Sequence, residues 1–449
     1  MKQNIDLLRE PILPALTKLA LPIMATSLVQ MAYNLTDMAW IGRVGANAVS
    51  AVGSAGMYVW FSQGVSNLAK MGGQVKVAHA LGQGRQKEAA EYAQGALQLG
   101  ILFAFLFGLI SVFFRSSLIG FFHMKNPEII REAEIYLAIT CGLILFSFLN
   151  VIFTGILTAT GDSRTPFLAN VIGLVINMIL DPALIFGVGP VPAMGAAGAA
   201  FATVFAQAVV TAVFLVTIRK DRILFDKVNI LKRTDRGRIR QIIHIGLPSA
   251  VQTMIYSGIS MILTRMVTAF GDTAIAVQRV GSQIESVSWM TADGFAAAIN
   301  SMVGQNYGAG QYRRVKDSYV TAAKIVFLWG LFSTSLLIFG AEPIFRIFIQ
   351  ESEVVADGIV YLQVLGVSQM FMCEEIITVG ALSGLGKTMQ ASVISILLTS
   401  ARIPMAILLM GTPLGLAGIW WAITISSVVK GIVYVIYFMR TMKRMPETA

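Results

Sequence analysis

Leu21 to Gly42 reads LPIMATSLVQMAYNLTDMAWIG, an apolar run with a single carboxylate, and about eleven more apolar runs follow it as far as Phe438. A helix needs about 20 apolar residues to cross a bilayer, and the runs are of that order. The bilayer core offers no water to backbone N–H and C=O groups, so such runs must fold as helices that bond internally. The composition agrees, being 56% hydrophobic and only 13% charged over 449 residues. The expected fold class is an all-α polytopic membrane protein of about 12 transmembrane helices.

The net charge of +10 does not point to nucleic acid, because Lys and Arg crowd alternate loops. One set of loops holds Arg85 and Lys87, Arg164, Arg313, Arg314 and Lys316, Lys387, then Arg440, Lys443 and Arg444. The other set is poorer, with Arg43, Arg115, Lys125 and Arg346, and its turns around Pro190 and Pro413 have none. Basic loops stay in the cytoplasm, so both termini are expected there, in a prokaryotic cytoplasmic (inner) membrane. No cleavable signal is expected; the first span itself would target the chain. Cys141 and Cys373 fall inside apolar runs, and His79, His123 and His244 are scattered, which indicates neither a disulfide framework nor a metal cluster.

The two halves of the chain repeat each other at a nearly fixed offset. Leu21-Pro22 answers Leu247-Pro248, Gly82-Gln83-Gly84 answers Gly308-Ala309-Gly310, and Tyr136-Leu137 answers Tyr361-Leu362. Gly155 and Gly161 answer Gly380 and Gly386, and the run Met194 to Gly198 answers Leu414 to Gly418. Five matches in chain order indicate a duplication of a six-span unit. An even number of spans keeps both copies in one orientation, so a pseudo-twofold axis along the membrane normal is expected to relate them. The expected parts are an N-lobe, 1–218, a basic cytoplasmic linker, 219–241, and a C-lobe, 242–449.

Polar residues inside a span are costly and mark function by default. Gln30, Asn34 and Asp37 share one stripe of the first span, and Asn170, Asn177 and Asp181 share one of the fifth. The sixth span places Ala199, Thr203, Gln207 and Thr211 in steps of four. Two carboxylates, an amide and a hydroxyl suit a proton relay or an oxygen-ligated cation such as Na⁺. Asn and Thr in membrane helices also serve merely to bond neighbouring helices. The second half is polar elsewhere, at Gln252, Tyr256, Glu285, Asp293, Glu374 and Glu375, and the counterpart of Asp37 is Leu263. The coupling chemistry is therefore not duplicated with the fold. Gln30, Asn34, Gln207, Tyr256, Glu285 and Glu374 are the candidate substrate contacts. Ala381 to Thr388 approximates a phosphate-binding P-loop but has Ala in place of the first Gly and no strand before it, so a cytoplasmic helix turn is expected there.

These features together, Asp37 after the Pro22 bend, the two Gly-x-Gly turns and Asn177-x-x-x-Asp181-Pro182, resemble the multidrug and toxic compound extrusion (MATE) family over nearly the whole chain. The resemblance implies a non-enzymatic secondary antiporter that exports organic cations and amphipathic compounds in exchange for H⁺ or Na⁺ by alternating access. It implies no cofactor, no nucleic-acid partner, and a monomer in the lipid bilayer. Asp37, Asn177, Asp181, Ala199 and Thr203 match the N-lobe cation or proton site of the archaeal and DinF-like branch. Na⁺, if it is the coupling ion, would be held by Asp37, Asn177, Asp181 and Thr203. In the NorM branch a seventh-span carboxylate contributes to a C-lobe site, and the position here that resembles it holds Tyr256 instead. Two other readings compete: a lipid-linked saccharide or lipid flippase of the same superfamily, which calls for a strongly cationic cavity, and an intramembrane prenyltransferase, suggested by Asn177-x-x-x-Asp181. The prenyltransferase needs a second acidic motif, and Arg402 to Ala406 supplies none.

Overall fold

A computed structural model describes residues 5–124, 126–189, 192–219, 224–230, 232–349 and 351–445. Lys125, Pro190 and part of the basic segment 219–241 lie outside them. The helices are α1 (Ile12–Val44), α2 (Ala46–Gly82), α3 (Gln86–Phe113), α4 (Arg115–Gly120), α5 (Pro127–Gly142), α6 (Leu145–Ala159), α7 (Arg164–Ile185) and α8 (Gly195–Ile218). After a short 3₁₀ turn, Phe225–Lys227, come α9 (Arg236–Thr268), α10 (Asp272–Gly308), α11 (Tyr312–Phe339), α12 (Ala341–Arg346) and α13 (Ser352–Gly366). The chain ends with α14 (Gln369–Gly384), α15 (Thr388–Ser400), α16 (Arg402–Met410) and α17 (Leu416–Lys443).

Twelve segments of spanning length result when α5 with α6, α13 with α14 and α15 with α16 each count as one. Among the described residues seven spans, or nine with two bent pairs, also meet a strict test of length and hydropathy. The rest, α2, α9 and α10, have ample length at 37, 33 and 37 residues but carry more polar side chains. Two of the twelve segments are bent pairs, one formed by α5 with α6 and the other by α13 with α14. They bend by 43° between α5 and α6 and by 47° between α13 and α14. In both, the first helix ends on a glycine, Gly142 or Gly366, where the helical ladder is easily interrupted.

The duplication is written into the backbone. Gly84 and Gly310 have φ of 72° and 74°, Gly161 and Gly386 86° and 76°, Gly195 and Gly415 53° and 51°. Only glycine enters this left-handed region freely. At the first two pairs it closes the preceding helix: Arg85 N–H reaches Ala80 O at 2.8 Å, Gln311 N–H reaches Asn306 O at 2.9 Å, and Asp162 and Lys387 repeat the bond to Leu157 and Leu382. The P-loop-like stretch is thus a helix turn, as the missing strand implied.

Packing divides the described chain into two compact units, and the division departs from the boundaries 1–218, 219–241 and 242–449. One unit is Ala25–Ala250; the other combines Ile5–Met24 with Val251–Ala449. The changes of unit fall two residues after Pro22 in α1 and two after Pro248 in α9. The described residues 224–230 and 232–250 are built into the N-terminal unit. Gln94 on α3 donates to Lys232 O at 2.6 Å and Thr234 Oγ1 at 3.0 Å and accepts from Asn229 N–H, while Gln98 donates to Ile230 O at 2.8 Å. Phe225 packs its ring on Phe153, itself stacked on Phe214 at 5.5 Å. Gly246 lies so close to α2 that a Cβ there would stand 1.9 Å from Leu68 O, the small-residue approach that apposes membrane helices.

The C-terminal unit takes the start of the chain in return. Asn306 Nδ2 donates to Leu7 O at 3.1 Å, Arg314 donates to the carbonyls of Leu7 and Glu10, and Leu7, Leu16 and Leu19 are fully buried beside Tyr319 and Phe438. Gly294 on α10 leaves room for Met24.

Candidate cation and substrate sites

Within the N-terminal unit α1, α7 and α8 carry the polar stripes seen in the sequence. Asn177 and Asp181, one turn apart on α7, are 0% exposed. Asn177 Nδ2 donates to Asp181 Oδ1 at 3.1 Å. The remaining acceptors, Asn177 Oδ1 and Asp181 Oδ2, are buried without a hydrogen-bond partner among the described residues, and so is Asp37 Oδ1 on α1. Buried acceptors of this kind are almost always satisfied, and these are all oxygens, so what completes them must be a hydrogen-bond donor or a cation.

The other sequence candidates have separate occupations. Thr203 accepts from Tyr33 Oη at 2.8 Å, which ties α8 to α1 through a tyrosine that the sequence reading passed over. Ala199 is fully buried in α8, in an apolar cluster that also holds Ile185 of α7 and Tyr136 of α5. Asn170 donates to the Pro166 carbonyl at 2.7 Å, a bond within its own helix. Gln207 is taken by Asn150, whose Nδ2 reaches its Oε1 at 2.7 Å, and Thr211 donates to Asn150 Oδ1 at 2.8 Å. Those contacts are helix-joining, although Gln207 also lines, with Gln30 and Tyr33, a cavity of about 20 Å³, room for roughly one water. Gln30 donates to Asn34 at 3.4 Å on the exposed side of α1.

The C-terminal unit has a different chemistry. Glu285 on α10 accepts from Gln369 Nε2 at 2.9 Å and from Tyr361 Oη at 3.4 Å. Glu375 on α14 forms an ion pair with Lys430 on α17 at 2.8 Å, the two side chains 10% and 3% exposed. Lys430 was not singled out from the sequence; a lone Lys within the apolar run of the twelfth span was the available signal. Glu374, the residue before it in α14, lines an apolar groove of about 710 Å³ with Lys324, Phe327, Leu328, Phe371 and Ile436. Its Oε1 is buried without a hydrogen-bond partner among the described residues. Tyr256 is half exposed on α9, and Leu263, the counterpart of Asp37, is buried in an apolar cluster. The sequence candidates Glu285 and Glu374 therefore differ in kind, one bonded within the unit and the other opening on a groove.

Comparison with known proteins decides what such a pair of units belongs to. A model of the MatE family matches residues 22–183 and, a second time, residues 248–408. The chain belongs to the MATE family. It is 29% identical over 428 residues to the probable multidrug resistance protein NorM of Thermotoga maritima, covering 94% of this chain and 91% of that one. It is 27% identical to the FAD transporter of Shewanella oneidensis, covering 96% and 95%. A solved outward-facing MATE transporter of the MOP superfamily superposes with a TM-score of 0.92 over 100% of both chains at 24% identity, and a MOP superfamily transporter from Pyrococcus furiosus with 0.91. This MATE protein is a multi-pass membrane transporter of the multidrug type, not an enzyme, which sets aside the prenyltransferase reading.

Proposed function

We propose that this MATE protein is a secondary antiporter that exports organic cations and amphipathic compounds in exchange for H⁺, with Na⁺ as the alternative ion. The observation that carries the proposal is the trio of buried, unpartnered oxygens on Asp37, Asn177 and Asp181. A proton or a small cation satisfies them; a cationic compound competes for the same negative charge, and that competition is what exchange requires. Ala199 and Thr203 line the same helix, α8, and belong to the proposed site. Gln30, Asn34, Gln207 and Tyr256, with Glu285 and Glu374, are the proposed substrate contacts. Glu374 is supported by its free oxygen in an apolar groove, a setting suited to an ammonium group on an apolar body.

The protein is proposed to work as a monomer in the cytoplasmic membrane with both termini in the cytoplasm, in keeping with the Lys/Arg asymmetry of the loops. The deciding measurement is transport of a fluorescent cation by purified protein in liposomes, with pH and Na⁺ gradients imposed separately. Uptake driven by a pH gradient alone is expected. Uptake that ignores both gradients sinks the antiport reading, and uptake driven by Na⁺ alone replaces H⁺ with Na⁺ at the same oxygens.

A further inference from the structure

Arg402 opens α16, just after the break from α15, and is only 6% exposed. Its Nε donates to Ser426 Oγ at 3.2 Å and one terminal nitrogen to Ser427 Oγ at 2.9 Å. Ser426 in turn donates to Leu398 O at 2.8 Å, which leaves its oxygen turned to accept from the arginine. Both partners are neutral hydroxyls. Arg402 enters no ion pair among the described residues. Neither nearby acid is in ion-pair contact with it: Glu285 accepts from the neutral groups of Gln369 and Tyr361, and Glu375 is paired with Lys430. A guanidinium has five N–H donors, and two are used here. The Tyr256 ring covers the group, its centroid 5.8 Å from the guanidinium carbon, and that ring is 50% exposed.

A buried cation in a membrane helix bundle is expensive unless a negative partner completes it. Here the described residues of the unit supply anchoring hydroxyls and an aromatic cover but no carboxylate within ion-pair distance. We infer that Arg402, under Tyr256, is an anion subsite of the C-terminal unit, which takes the carboxylate or phosphate of an amphipathic compound. The inference rests on the transporter reading above and narrows its substrate class to amphiphiles that carry an acidic group. Ser426 and Ser427 hold the planar fork in place, and the fork's free edge is suited to bidentate recognition of an oxyanion. Tyr256 swings aside to admit the group, and its face then borders the apolar part of the compound.

The test uses purified full-length protein in detergent and two dyes that differ only by esterification of one carboxyl group, rhodamine 19 and its ethyl ester rhodamine 6G. Binding is read by fluorescence anisotropy. Wild type is expected to hold the acid roughly tenfold more tightly than the ester, the worth of a charged hydrogen-bonded contact. Arg402→Gln should bring the acid level with the ester and leave the ester unchanged. Equal affinities in wild type, no binding of the acid, or a loss shared by both dyes in Arg402→Gln overturns the subsite. Tyr256→Ala alters an exposed ring and tests the site even if Arg402→Gln does not fold. Uncovering the guanidinium should raise the acid-to-ester affinity ratio about threefold, the worth of a half-exposed cation–π contact, since any contact of the ring with the apolar body is common to both dyes and cancels in the ratio. An acid-to-ester ratio that stays the same or falls in that variant also overturns the inference. Anisotropy needs no ion gradient, so this result and the failure or success of coupled transport in liposomes are read independently.

Discussion

Lys430 of α17 and Glu375 of α14 form a 2.8 Å ion pair in the interior of the C-terminal unit, with Glu375 Oε2 left without a partner among the described residues. Removing one member of a buried pair strands the other charge, at a cost of about 3 to 5 kcal/mol, whereas replacing both with apolar residues of similar volume is close to neutral. Lys430→Met is therefore expected to lower the melting temperature in detergent by several degrees. Lys430→Met with Glu375→Leu should recover most of it. A double variant as unstable as the single would show that the pair holds the unit together through more than charge compensation.

Gln94 makes three bonds to the segment 229–234, and Gln98 supports the same stretch. Basic though it is, this segment is a strap on α3 and not a free tether. Gln94→Ala should speed tryptic cleavage at Arg233 and Arg236 several-fold while leaving the cleavage pattern elsewhere alone. Equal cleavage rates in wild type and variant would mean that the strap is loose in solution.

A Cβ at Gly246 would stand 1.9 Å from Leu68 O, whereas one at Gly258 meets nothing within 4 Å. Both are in α9, so helix propensity affects them alike and only the neighbour differs. Gly246→Ala is expected to destabilise the protein by about 1 to 3 kcal/mol, the range for overpacking. Gly258→Ala should be neutral or slightly stabilising. A thermal shift assay that ranks the two the other way would remove the close approach from the account of how the N-terminal unit packs.

The duplication was legible because it rests on local backbone demands. Gly84 and Gly310, or Gly161 and Gly386, are fixed in the chain by a left-handed turn that other residues enter at a cost, so paired glycines survive as a pattern in the sequence. The stripe of Asn177 and Asp181 was legible through helical spacing alone. The exchange of chain starts after Pro22 and Pro248 was not, since which unit a helix joins depends on partners hundreds of residues away, such as Asn306 and Leu7. The division of labour among polar residues was hidden for the same reason. Gln207 and Asp181 look equally functional in the sequence; only the arrangement of helices shows that Asn150 satisfies the first and that nothing described satisfies the second oxygen of the other.

Asp37 and Asp181 sit on different helices, each with one buried oxygen that finds no partner among the described residues, and Asn177 bonds to Asp181 while its own oxygen finds none there either. If this trio holds the coupling ion, neutralising either acid must change transport differently from binding. Asp37→Asn keeps the shape and the one-turn hydrogen bond of α7, so the protein should insert and melt like wild type. It fixes the uncharged state, however, and an ion that cannot be taken up and released cannot drive exchange. Export of a cation against its gradient under an imposed pH gradient is expected to fall at least tenfold. Asp181→Asn should act in the same direction and more mildly, because Asn177 still offers its amide oxygen beside it. Asn150→Ala, which removes the bonds to Gln207 and Thr211, should by contrast lower stability by about 1 kcal/mol per bond lost and reduce export only in proportion to folded protein. Unimpaired uphill export by Asp37→Asn would assign that carboxylate to structure and move the coupling chemistry elsewhere.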